Sequence, residues 1–313
     1  MSIVPICPEK RLMQPDTIIS QFMIFKKATG VSKRTIQDYQ KTLRLFFSRY
    51  PDALDYPRER TLAFLSAYEN PSSYNIRYAY LKVFWDWVMR EGYFKGDRHP
   101  LDGLKKRKPR GRIVQLEANE ISKLLQQPNR ERYAGLRDYA LLCLSIDTGI
   151  RPGEALQLMP EDCNPEKAEM IVRAEISKTR IPRVLPLSAP TIGAIQKLLT
   201  VRPLAWTGSP IFANETGTQL QVMTWSRRVT AYGKRCGLNI TAYHLRHAAA
   251  LMLLRKGADA FTVQNMLGHS TMQMTRHYVN LTSEDTRRGH AKAGVLVSLL
   301  GNDAPKNPRT RRL

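Results

Sequence analysis

The sequence is short of several things, and each shortage excludes a class of protein. No apolar run approaches the ~18 residues that a membrane-spanning helix needs, so a helical carrier or channel is excluded. The opening MSIVPICPEKRLMQPD has no apolar stretch long enough for a secretory signal. Cysteine is scarce: Cys7, Cys143, Cys163 and Cys236 are scattered through 313 residues with no C-x-x-C pair. That argues against a disulfide framework or a zinc site and for reduced thiols in a cytosolic protein. A G-x-x-x-x-G-K-[ST] phosphate loop is missing, so nothing points to ATP. Acidic residues are few, 27 against 49 Lys and Arg.

That imbalance leaves a formal charge of +22, while 42% hydrophobic residues are enough for packed cores. A folded protein facing a polyanion is implied, either nucleic acid or an anionic membrane surface. The length suits two domains of roughly 150 residues each. The charge is uneven. Residues 95–112, KGDRHPLDGLKKRKPRGR, carry a net +6 and residues 302–313 a net +3, so +13 remains on the rest of the chain. The 95–112 stretch is also broken by glycine and proline and reads as an interdomain linker able to track a phosphate backbone.

Residues 14–94 read as four helices. Apolar residues recur at helical spacing from Asp16 to Ala28, ended by Gly30, and again after a Ser32 cap at Ile36, Tyr39, Leu43, Phe46 and Phe47. Pro57 and Asn70-Pro71 open two more. Beyond the linker, residues 113–290 read as mixed. Helical patterns surround two short runs, 169–174 and 183–187, that form a β-hairpin around EISKTRIP. Residues 291–313 read as a helix end and a basic tail. The expected fold is mostly α with a small β-sheet.

Three segments carry chemistry. In TGIRPGEALQL, residues 148–158, Arg151 stands just before Pro152 at a helix start, with Glu154 placed to orient its guanidinium. The hairpin turn offers Lys178, Arg180 and Arg183. The third segment, YHLRHAAALMLLRKGADAFTVQNMLGHSTMQMTRHYV, spans 243–279 and holds Arg246, His269 and Tyr278. Two arginines suit the non-bridging oxygens of a phosphodiester and the charge of its transition state. A tyrosine can attack phosphorus and hold the DNA end covalently, its phenolate favoured by cationic neighbours. A lysine can protonate the leaving 5′-oxygen. No water is consumed, so the ester conserves the bond energy for rejoining. Neither metal nor cofactor is called for: His244 and His247 are three apart on a helix, without a carboxylate pattern to complete a metal site.

In this order and spacing the three segments resemble the tyrosine recombinase (phage integrase) family, from about residue 14 to 290, and most of all its two-domain Xer-type members. The resemblance implies a SAM-like helical core-binding domain and a catalytic domain that close as a clamp on double-stranded DNA. It implies Arg151 and Arg246 on the scissile phosphate, Lys178 as the hairpin lysine, His269 as the histidine of the L-G-H box, Tyr278 as nucleophile and Glu154 as support for Arg151. Lys105, Lys106, Arg107, Lys108 and Arg180 are expected to contact DNA. One departure stands out. Where the family has His-x-x-Arg, Tyr243 occupies the histidine position and His244 comes one residue late. One helical step is about 100° of rotation, so simple slippage does not let His244 substitute.

The resemblance further implies a 3′-phosphotyrosyl intermediate and a homotetramer on two DNA sites, assembled by exchange of a C-terminal segment. The expected setting is the prokaryotic cytoplasm, in association with the nucleoid rather than a membrane. Two other readings stay open on the residues: a non-catalytic DNA-binding protein on the same scaffold, motivated by Tyr243, and a type IB topoisomerase-like enzyme. Integration or excision of a mobile element and Xer-type resolution are equally compatible with the sequence.

Overall fold

The computed structural model describes residues 14–94, 96–108 and 115–279. The chain divides into two compact units, Met1–Arg112 and Ile113–Leu313. The C-terminal segment expected to exchange between protomers lies outside the described residues.

The first unit holds α1 (Pro15–Ala28), α2 (Lys33–Arg49), α3 (Pro57–Ser66) and α4 (Pro71–Arg90). Their starts follow local chemistry. Ser32 accepts from the Thr35 amide at 3.2 Å, and Asn70 Oδ1 accepts from the amides of Ser72 and Ser73 at 2.9 and 3.2 Å. Such caps satisfy amides that have no partner inside the helix. The apolar stripes meet in an aromatic core of Phe22, Phe46, Phe64, Phe84 and Trp85, packed mainly edge to face. Trp85 Nε1, fully buried, donates to Thr61 Oγ1 at 3.0 Å.

The described part of the stretch read as a linker is bound to this unit. Leu101 is in its core, and Tyr78 donates to the Leu104 carbonyl at 3.2 Å. Asn75 clamps the backbone of Arg107 through two bonds of 2.8 Å. The Arg107 guanidinium lies 3.9 Å from the Tyr74 ring centre and donates to the Tyr68 carbonyl at 2.6 Å. The bends from Gly and Pro do break helical periodicity, but Leu101 and Leu104 still gain from burial.

The second unit is built on α6 (Tyr133–Thr148), whose leucines point into the core from several sides, packed by α8 (Ala189–Thr200) and α10 (Ala242–Arg255). Around it are α5 (Ala118–Leu125), the four-residue α7 (Pro152–Ala155), α9 (Val222–Arg235), α11 (Ala260–Leu267) and α12 (Met272–Val279). The sheet is antiparallel, in the order β1 (Cys163–Asn164), β2 (Glu169–Val172), β3 (Arg183–Pro186). Met170 faces Leu185 on the buried side and Ile171 faces Val184 on the exposed side, as period-two alternation requires. The expected hairpin is present, with a third strand that sequence reading missed. The β2–β3 connection, 173–182, is a long loop rather than a tight turn.

Candidate active site

The site is organised by the C-terminus of α11. A helix leaves its last carbonyls without internal partners and its C-terminal end partially negative. Here Gly268 adopts a left-handed conformation, φ 64°, and ends the helix. Three guanidiniums from distant elements then cap three successive carbonyls. Arg183 Nε of β3 donates to Met266 O at 3.0 Å, Arg246 Nη2 of α10 to Leu267 O at 2.9 Å, and Arg151 Nη2 to Gly268 O at 2.7 Å. Arg246 Nη1 also donates to Gly149 O at 2.8 Å. Gly149 is the left-handed end of α6, and a Cβ there would sit 2.5 Å from Leu267. Two glycines thus let two helix ends meet around Arg246.

Glu154 joins the arginines. It is 2% exposed. Its Oε1 accepts from Arg151 Nη1 at 2.9 Å and from the Lys178 amide at 3.3 Å, and its Oε2 from Arg183 Nη2 at 2.5 Å. Burial alone would raise its pKa, but the hydrogen bond and charge of Arg183, with Arg151 beside it, outweigh burial and hold the carboxyl below the usual range. Charge-assisted bonds of this kind fix geometry as well as energy. Arg183 was read from sequence only as part of the hairpin's charge. Its buried Nη1 has no partner among the described residues, and it lines a cavity of about 260 Å³ with Thr179, Gln264, His269 and Ser270.

Arg246 is almost fully buried. Burial, then the charge of Arg151, lowers its pKa to about 10, so it stays cationic at neutral pH. His269 follows Gly268, and its Nδ1 meets Thr275 Oγ1 at 2.8 Å. Burial, with the charges of Arg246 and Arg151, pushes its pKa down to about 4 and keeps the ring neutral at neutral pH. Tyr278 of α12 is 5% exposed and lies parallel to the His269 ring, 6.1 Å between centres. Its phenol was expected to be favoured as phenolate by cationic neighbours. The structure reverses this: burial raises its pKa, and Arg246 offsets only part of the rise.

Arg151, Glu154, Arg246, His269 and Tyr278 therefore converge. The Lys178 side chain is exposed on the β2–β3 loop, and only its amide reaches the cluster. Arg180 is exposed on the same loop at φ 58°, a conformation uncommon for a residue with a side chain. In the first unit Lys105, Lys106 and Lys108 are exposed, and Arg107 is engaged as described. Tyr243, 54% exposed, lies in the first turn of α10. His244 is committed to that turn, since its Nδ1 accepts from the Thr241 amide at 2.9 Å and closes a capping box.

Sequence reasoning weighed His247 only as half of a metal pair and missed its place in the site. Its Nδ1 lies 2.7 Å from the Tyr278 hydroxyl. A signal existed: it stands four residues after Tyr243, on the same face of α10. Among the described residues no group of three or more His, Cys, Asp or Glu could hold a metal, and no helix is long and apolar enough to cross a membrane. A cluster of fixed guanidiniums beside a neutral imidazole and a buried phenol is equipped to hold a phosphodiester and attack it.

Residues 115–285 match the model of the phage integrase family. The chain is 31% identical over 293 residues to tyrosine recombinase XerA of Pyrococcus horikoshii, covering 91% of this chain and 96% of that protein. Its fold resembles a lambda integrase dimer bound to a COC′ core site, at TM-score 0.70 and 19% identity, covering 86% of this chain and 78% of the other. It also resembles the Tn1549 transposon integrase in complex with circular intermediate DNA, at TM-score 0.67 and 16% identity, covering 85% and 94%.

Proposed function

The chain belongs to the phage integrase family as an Xer-type tyrosine recombinase, a site-specific enzyme acting on double-stranded DNA, and from that premise we propose how its residues divide the work. Arg151 and Arg246 hold the non-bridging oxygens of the scissile phosphate. Tyr278 attacks phosphorus and forms a 3′-phosphotyrosyl ester. Lys178, on the exposed loop, comes down on bound DNA and protonates the leaving 5′-oxygen. His269, neutral, hydrogen-bonds the phosphate. Glu154 positions Arg151. Lys105, Lys106 and Lys108, with Arg107 held on Tyr74 beside them, neutralise the flanking backbone from the first unit, and Arg180 does so from the second. Four copies act on two DNA sites, joined by exchange of the segment beyond Val279. The reaction serves integration or excision of a mobile element or Xer-type resolution.

The observation that carries this reading is the convergence of Arg151, Arg246, His269 and Tyr278 around one helix end. Nothing favours the non-catalytic reading that Tyr243 raised. The test is covalent trapping. A pool of random-sequence duplexes is incubated with the protein, denatured in detergent, and the DNA in surviving adducts is sequenced to find the cleaved site. An adduct that disappears in Tyr278→Phe is expected. No adduct from any duplex, or one that persists in Tyr278→Phe, overturns the assignment.

A further inference from the structure

A phenol is scarcely ionised near neutral pH, and burial makes Tyr278 harder still to ionise. Its proton needs an acceptor. We propose that His247 is a catalytic residue: the base that takes the Tyr278 proton as the phenolic oxygen attacks phosphorus, and returns it when the ester is resolved. This rests on the reading of Tyr278 as nucleophile.

The other described imidazoles near the site are committed elsewhere. His244 Nδ1 accepts from the Thr241 amide. His269 Nδ1 pairs with Thr275, and its ring stacks on the face of Tyr278, with 6° between planes, rather than meeting the oxygen. Position 243, where the family pattern has histidine, is an exposed tyrosine. His247 alone among them puts a nitrogen on the Tyr278 hydroxyl, at 2.7 Å, within the reach a general base requires. It follows Arg246 directly in α10, so one rigid helix carries both a phosphate-binding cation and the base.

The step balances. The Oη–H bond of Tyr278 breaks, and its proton passes to Nδ1 of neutral His247. The freed electron pair makes the Oη–P bond while the P–O5′ bond breaks, and the leaving oxygen is protonated from Lys178. In the second half a 5′-hydroxyl gives its proton to the now neutral Lys178 amine and attacks phosphorus, the P–Oη bond breaks, and the imidazolium gives its proton back to Tyr278. Among the described residues, the titratable and charged groups around His247 include Tyr278 from α12, His269 from the α11–α12 corner, and Arg246 and His244 on its own helix. Arg246 beside an imidazolium favours return of the proton.

Two measurements test this. Without DNA, ¹⁵N-labelled histidine reports the tautomer. The proposal requires a neutral His247 protonated on Nε2, with an Nδ1 resonance that moves in Tyr278→Phe. A neutral ring protonated on Nδ1, or no movement, overturns it. With DNA, single-turnover cleavage is followed on a nicked duplex carrying the site found by trapping. His247→Asn keeps a hydrogen bond but cannot take the proton. It should slow cleavage ~10²–10³-fold, with affinity and melting preserved and a rate that climbs with pH. Added imidazole should partly restore His247→Ala. A 5′-bridging sulfur, which leaves without an acid, should rescue Lys178→Ala but neither His247 variant. If His247→Asn cleaves within about threefold of the parent with the same pH profile, or sulfur rescues it, His247 is not the base. If Tyr278→Phe still forms the adduct, the nucleophile assignment fails instead.

Discussion

Glu154→Gln is the sharpest probe of how the site is held. Glutamine keeps the shape and one acceptor oxygen but loses the charge, and its amide nitrogen must face one of two buried guanidiniums. With the carbonyl on Arg151, the contact to Arg183 becomes donor against donor. Both ion pairs are well shielded, with side chains at most 12% exposed. Removing one partner of a buried pair costs about 3–5 kcal/mol, and the retained acceptor places the expectation near the lower end. At roughly 2–4 °C per kcal/mol for a domain of this size, the second unit should melt about 6–12 °C earlier. Scanning calorimetry at neutral pH reads this directly. The pH dependence has a definite sign. The folded pKa of Glu154 lies below its unfolded value. Its stabilisation is therefore present above the unfolded pKa and lost as pH falls through the folded one. The gap between parent and variant should narrow on acidification. In a double-mutant cycle, adding Arg183→Met should cost less than the two single losses together by about 1–3 kcal/mol. A shift below about 2 °C, or a gap that widens in acid, would refute the assignment of Glu154 as the joint of the arginine cluster.

Three further outcomes are expected. Gly268→Ala must hold alanine at φ 64° with its Cβ 3.1 Å from the Arg183 guanidinium, so it should lose roughly 1–2 kcal/mol by chemical denaturation and most of its cleavage. His244→Ala removes only a helix cap and should lower stability by about 1 kcal/mol while cleavage persists; abolished cleavage with the fold intact would return His244 to the site. Arg246→Ala should cripple cleavage yet keep most DNA affinity in a mobility-shift titration. That affinity should fall steeply with salt, since the remaining cations bind phosphate through counterion release; a salt-insensitive affinity would contradict where the +22 charge is placed.

Much of the architecture is local and was legible in the sequence. Apolar spacing, the Ser32 and Asn70 caps and glycines such as Gly30 and Gly268 set where helices begin and end, because those effects act within a few residues. The order of Arg151, Arg246, His269 and Tyr278 was legible too, as a motif. What the sequence could not supply is which groups meet. Leu101 and Leu104 sit in a Gly/Pro-broken stretch without periodicity, yet they pack on four helices that lie earlier in the chain. Arg183 looked like one charge among several on a hairpin until α11 placed Met266 against it. Tyr278 looked like a phenol among cations, whereas its burial raises the pKa that those cations were expected to lower. His247 meets the Tyr278 hydroxyl across 31 residues, and Arg151 meets Gly268 across 117. Hydrogen bonds and desolvation depend on distances of a few ångströms, and only the packed chain sets those distances.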